Sequence, residues 1–150
     1  MRVFNGIDEV EKAVGEQIGR SDWLEIGQDR VNLFAEATGD HQWIHVDPER
    51  AKDGPYGTTI AHGYLTLSLL PVLGASIFSL EGVKMKVNYG SNKVRFPAPV
   101  PVGSRIRAAA EFKSLERTAK GANLVVGYTV EIEGSERPAL VAETVVVLVP

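Results

Sequence analysis

The chain has 150 residues, 44% hydrophobic and 23% charged, with a net charge of −3 and no cysteine. That length and balance suit one compact unit built on a hydrophobic core, residues 1–150, and exclude disordered, collagen-like and fibrous classes. Without cysteine there are no disulfides, thiolate metal sites or thiol nucleophiles, which suits a reducing compartment, so a cytoplasmic location is expected.

At the N-terminus, Asp8, Glu9 and Glu11 fall where a secretory signal would carry its apolar stretch, so the segment reads as mature protein. The segment Gln28 to Thr38 places Val31, Phe34 and Ala35 on one helical face and stops at Gly39, which predicts an amphipathic helix. Next comes DHQWIHVDPERAKDGPYG, with Asp47 as a potential cap, Pro48 at a first helical position, and the breakers Gly54, Pro55 and Gly57. A loop with one short helical insert is expected. From His62 to about Leu80 the chain is apolar all round, as in a helix surrounded by protein. Pro71 conflicts with an unbroken helix and predicts a kink or a later start. The interruptions at Thr66, Ser68, Pro71, Gly74, Ser76 and Ser79 argue against a bilayer span.

Beyond Gly82 the period becomes two. Val83, Met85, Val87 and Tyr89, then Ile106, Ala108, Ala110 and Phe112, then Val126, Tyr128, Val130 and Ile132 alternate with mostly polar residues and predict half-buried strands. Ala139 to Val149 is apolar at nearly every position and is expected centrally in the sheet or against another subunit. The expected fold is α+β, a long antiparallel sheet wrapped around one buried helix. One helix cannot cover every apolar strand face, so a homodimer is expected.

Charge is unevenly placed. From Gly82 to Ala110 there is no acid, while Lys84, Lys86, Lys93, Arg95, Arg105 and Arg107 are basic. Such a stretch can hold a phosphorylated ligand, or it can be the solvent face of alternating strands. It lacks the aromatic interleaving and overall positive charge of a nucleic-acid surface, so no nucleic acid is expected as a partner, and the interrupted apolar window argues against a membrane.

All three histidines, His41, His45 and His62, fall near Asp40 and Asp47. His41 and His45 have helical metal-ligand spacing and with Asp47 could form a ligand set, but Gln42, Trp43 and Ile44 lie between the two histidines and supply no glutamate, so no metal is expected. Asp40 and His45, five apart across a turn, can instead point at one water and share acid–base work. Gly63 falls where the apolar helix begins, and free N–H groups there can hold a carbonyl oxygen that gains charge. Read singly, Asp40 and His45 are better explained as loop ties and Gly63 as a turn residue; it is their combination that points to chemistry.

The stretch FAEATGDHQWIHVDPERAKDGPYGTTIAHGYLTLSLL resembles the hydratase motif of the MaoC-like (R)-specific enoyl-CoA hydratases, including the nodulation protein N branch. VNYGSNKVRFPAPVPVGSRI is similar to the strand and turn that follow the central helix in that family. The resemblance implies a hot-dog fold, a homodimer, no cofactor, and hydration of trans-2-enoyl-CoA, or an acyl-carrier thioester, to the (R)-3-hydroxyacyl product. By position it gives Asp40 and His45 the catalytic pair and Gly63 the backbone donor to the thioester oxygen. Ile60, Ala61, His62, Tyr89, Asn92, Lys93, Val94 and Arg95 are the expected substrate-binding residues, with Lys93 and Arg95 on the phosphates. The chain departs from the family pattern at Gln42, where asparagine is usual, and at Trp43, where proline is usual; Pro71 stands where some members carry a hydroxyl. A thioesterase and an acyl-thioester-binding subunit of a larger dehydratase are the alternatives, since one fold hosts several chemistries.

Overall fold

A computed structural model describes residues 1–150. The order is β1 (Arg2–Asn5), α1 (Ile7–Lys12), β2 (Gln17–Arg20), β3 (Leu24–Glu25), α2 (Gln28–Thr38), α3 (Trp43–Val46), α4 (Pro48–Ala51), α5 (Gly63–Ser68), α6 (Leu70–Ala75), β4 (Phe78–Glu81), β5 (Met85–Arg95), β6 (Arg105–Thr118), β7 (Gly121–Ile132) and β8 (Leu140–Val149).

The helix α2 has the expected bounds. Val31 and Ala35 are its buried stripe, and Gly39 closes it in the left-handed region at φ 80°, donating its N–H to the Ala35 carbonyl. The loop beyond carries two short helices instead of one insert. Asp47 caps the second, its carboxylate accepting from the Arg50 N–H at 3.1 Å, with Pro48 in the first turn.

The segment expected as one helix to Leu80 is two helices and a strand. The first ends at Ser68, and Pro71 sits in the opening turn of α6, where its missing N–H costs no intrahelical bond. Phe78–Glu81 then pairs in parallel with Arg2–Asn5, from Arg2 opposite Phe78 to Asn5 opposite Glu81. A short strand that joins an apolar helix without a polar break gives no change of period to read. Nor is the helical pair enclosed all round by this chain, because Tyr64 is 69% exposed and Val72 is also open.

The main sheet is antiparallel, in the order β2-β6-β7-β8-β5, with β3 also on β6. Ile106, Ala108, Ala110 and Phe112 on β6, and Leu124, Val126 and Val130 on β7, turn one buried face toward α5 and α6. There they join Leu65, Leu69, Leu70 and Leu73 in one core. The apolar β8 has a neighbour on both sides, as expected. The departure is β5, which forms a free edge; Met85, Val87 and Tyr89 are exposed where half-burial was expected, and Tyr89 is 75% exposed. No helix is long and apolar enough to cross a membrane.

Candidate active site

The site is assembled from the turn after α2, from α3, and from the segment leading into α5. Ile60 ties the last two together: its N–H donates to the Ile44 carbonyl at 2.9 Å, and its carbonyl accepts from His45 Nδ1 at 2.7 Å. Gln28, at the start of α2, supports α3 from the other side. Its amide donates to the His45 carbonyl at 2.7 Å and its oxygen accepts from the Thr59 hydroxyl at 2.7 Å. His45 is therefore held through both ring and backbone, at 7% exposure.

His62 lies against it. The two imidazoles stack with centroids 3.9 Å apart and planes 23° apart, and Phe34 covers His62 at 4.9 Å. His62 Nε2 donates to the Asp40 main-chain carbonyl at 2.9 Å. Ligand atoms of Asp40, His45 and His62 consequently lie within 4.8 Å of one another. The trio differs from the set that sequence spacing offered to a metal: His41 is exposed beside Glu36 at 3.8 Å, and Asp47 is occupied in capping α4.

Burial is the largest influence on His45 and pushes its pKa below the ordinary value of 6.5; neighbouring His62 acts in the same direction, while the Ile60 carbonyl and Asp40 oppose them. His45 therefore stays neutral, and available as a base, to lower pH than a free imidazole.

Gly63 follows His62 directly and is the first residue of α5, so its N–H has no partner inside that helix. A side chain there would be crowded: a Cβ would stand 3.1 Å from the Phe96 ring, which would have to give by a few tenths of an ångström. Phe96 immediately follows β5, so the end of that strand reaches the helix start that carries the free amide.

The sequence-derived binding residues divide into two groups. Ile60, Ala61 and His62 are buried in the segment leading into α5, and Val94 is partly buried against the core. Tyr89, Asn92, Lys93 and Arg95 are exposed along β5, and none hydrogen-bonds the Asp40–His45 loop. Of the six basic residues, Arg105 pairs with Glu133 and Arg107 with Glu131, and Arg107 also stacks on Trp23, which fits the solvent-face reading for those two. Lys84, Lys86, Lys93 and Arg95 have no carboxylate within ion-pair distance.

A cavity of about 710 Å³ lies next to this constellation rather than around it. Leu67 and Ser68 of α5, Pro71 and Gly74 of α6, Asn88 of β5 and Tyr128 of β7 are among its walls. Gln28, Thr59, Phe34 and Phe96 were not anticipated from sequence. They reach the site only through tertiary packing, and no local motif marks them.

A model of the MaoC like domain matches residues 9–133. The chain belongs to the MaoC-like family. Within that family it is 57% identical over 147 residues to 3-hydroxyacyl-thioester dehydratase Z of Mycobacterium tuberculosis, covering 97% of both chains. It is 43% identical to nodulation protein N of Rhizobium leguminosarum, covering 93% of this chain and 89% of that one. Among solved structures, the (R)-hydratase from A. caviae involved in PHA biosynthesis superposes with a TM-score of 0.71 at 26% identity, over 89% of this chain and 98% of that one. The antiparallel sheet with few helices is thus the MaoC-like, hot-dog arrangement.

Proposed function

We propose that this MaoC-like protein is a hydratase/dehydratase that adds water to trans-2-enoyl thioesters to give (R)-3-hydroxyacyl thioesters, and runs the reverse elimination. The observation that carries this reading is the meeting of the Asp40 carboxylate and the His45 imidazole within 4.8 Å, beside the free amide that opens α5. The names of the dehydratase and (R)-hydratase relatives support it.

Asp40 and His45 hold a water and take its proton as its oxygen attacks C3. The Gly63 N–H, at the positive end of α5, stabilises the negative charge that moves onto the thioester oxygen. The pair returns a proton to C2. Because one pair serves one face, addition is syn, and as the two groups interact they titrate as a unit. Water addition changes no net oxidation state, so the reaction requires no redox cofactor. The cavity along α5 and α6 takes the acyl chain, because Leu67 and Ser68 carry its wall one helical turn beyond Gly63.

The test is an absorbance assay with crotonyl-CoA and longer 2-enoyl-CoA substrates, followed by chiral analysis of the product. Loss of the enoyl band without thiol release, giving the (R)-alcohol, is expected. Free thiol would identify a thioesterase and overturn the reading.

The cations without acidic partners give the carrier its site: Lys93 and Arg95 neutralise phosphates of coenzyme A or of a phosphopantetheine arm. Lys93→Ala or Arg95→Ala is expected to raise KM more than it lowers kcat, and the wild-type KM is expected to rise with salt. A salt-independent KM would return these residues to an ordinary strand face.

The unpaired edge of β5, with Met85, Val87 and Tyr89 exposed, supports a homodimer joined along that strand. Sedimentation is expected to give twice the chain mass of 16.3 kDa, and a monomer at micromolar concentration would remove this reading.

A further inference from the structure

The inward face of β7 is apolar except at one atom. Leu124, Val126, Tyr128 and Val130 share that face and all are buried, Tyr128 at 8% exposure. A phenylalanine would fill the position with the same ring; what the tyrosine adds is a hydroxyl, and a buried hydroxyl needs a hydrogen-bond partner. Tyr128 finds none in the chain. Burial alone pushes its pKa up, to about 12, with no hydrogen bond contributing. Nor is the oxygen sealed within the protein, for Tyr128 lines the cavity along α5 and α6. Gly74 of α6 lies so near that a Cβ there would stand 3.0 Å from the Tyr128 Oη. The phenol oxygen thus sits at the helical wall of the space assigned to the acyl chain, and it stays a protonated donor throughout the neutral pH range.

The polar groups nearest to it in the sheet are uncharged. Val126 stands opposite Thr144 of β8, and Thr144 opposite Ser91 of β5. Every second residue of a strand returns to the same face, so Thr144 and Ser91 lie one row from Tyr128, and both also line the cavity. Lys86, the one cation of the wall, is opposite Leu148, six residues along β8 from the Ala142 that faces Tyr128, a backbone separation of about 20 Å. A carboxylate beside the phenol would therefore lack a counter-charge. A plain hydrocarbon chain is also a poor match, because it would take the hydroxyl from water and return no hydrogen bond. Three hydroxyls, each able to donate and to accept, suit a neutral oxygen on the ligand.

We infer that Tyr128 makes the acyl cavity selective for chains that carry a neutral oxygen, a hydroxyl or a keto group, far from the thioester: the phenol donates to that oxygen, and Thr144 and Ser91 complete its hydrogen bonding. The inference rests on the hydratase reading and on its acyl cavity. Tyr128 touches no reacting atom, so it determines specificity without taking part in the chemistry. Gly74 lies eleven residues beyond Gly63, about three helical turns or about 16 Å. The oxygen that Tyr128 meets is accordingly remote, near the end of a chain of dodecenoyl length. A site built to hydrogen-bond a substrate oxygen discriminates against the analogue lacking it more sharply than an apolar pocket discriminates by size.

Calorimetry with saturated ligands reads this recognition without turnover. Dodecanoyl-CoA is compared with analogues that carry one hydroxyl or keto oxygen near mid-chain, at the penultimate carbon or at the terminal carbon. Wild type is expected to bind at least one oxygenated ligand about tenfold more tightly than the plain one. Tyr128→Phe is expected to shrink that preference to about twofold or less while binding the plain ligand no more weakly. Because the hydroxyl has no partner in the fold, Tyr128→Phe should melt no lower than wild type. The corresponding 2-enoyl-CoA substrates are expected to show the same preference in kcat/KM. Three results each overturn the inference: tightest binding of the plain chain by wild type, a preference untouched by Tyr128→Phe, or a Tyr128→Phe that melts several degrees lower, since the hydroxyl would then serve the fold or a subunit contact. A wild-type chain that hydrates no enoyl thioester sinks the hydratase reading instead, and the saturated ligands still decide the role of Tyr128.

Discussion

Asp40→Asn and His45→Gln are each expected to lower kcat by at least about two orders of magnitude, the scale of a lost acid–base group. The two variants should differ in stability. The exposed Asp40 carboxylate makes only a long 3.4 Å contact with the Gln42 N–H, so its amide analogue should melt within about 2 °C of wild type. His45 is buried and serves the Ile60 carbonyl, so His45→Gln strands that acceptor and should melt several degrees lower. The pH profile adds a sign. A base whose pKa burial has lowered stays neutral to lower pH, so kcat/KM should hold as pH falls through 6.5 and decline only below it. Near wild-type turnover in either variant would remove that residue from the mechanism, and an acid limb above 6.5 would remove His45 as its source.

What the sequence made legible was what local pattern encodes. The helix Gln28–Thr38 could be bounded because its apolar face and its terminal glycine agree. Strands β6 and β7 could be read because each carries a run of apolar residues at period two, Ile106 to Phe112 and Val126 to Ile132. The stretch from His62 to Leu80 failed at its end because a continuous apolar run carries no period: Phe78 and Leu80 suit a helix as well as the strand they form on Arg2–Asn5. At the site, the histidine cluster and Asp40 were visible as composition, but their pairing was not. Spacing suggested His41 beside His45; the fold puts His62 there, because the Ile60 hydrogen bonds lay the segment before α5 across α3. The exposure of β5 was equally hidden, since alternation shows that one face is apolar and says nothing of what covers it.

Trp43, at the position where proline is usual in the motif, should show its role through coupling to a glycine eleven residues on. Its ring lies under the Arg50 guanidinium at 4.3 Å, and Gly54 backs it so closely that a Cβ there would stand 2.9 Å from Cζ3 and 3.1 Å from Cη2. The tryptophan is thus clamped within its own loop, between α4 and the turn after it, and opens the helix that carries His45 two residues later. It is only half-buried, so Trp43→Ala should cost about 2 kcal/mol, below the roughly 3–5 kcal/mol of a fully buried aromatic. Turnover should fall with it as α3 loosens. Gly54→Ala tests the same contact from the opposite side: the added methyl also meets the Ala51 carbonyl at 3.3 Å, so the ring must yield, and α3 with it. Each single variant should therefore lower both kcat and melting temperature. In the double variant the methyl no longer meets a ring, so the combined loss should be smaller than the sum of the two by about 1 kcal/mol or more. Strict additivity would mean that the ring and the glycine act independently. In that case burial of Trp43 does not restrain the loop as the fixed φ of a proline at this position would, and the loop must draw its rigidity from the Ile60 and Gln28 hydrogen bonds alone.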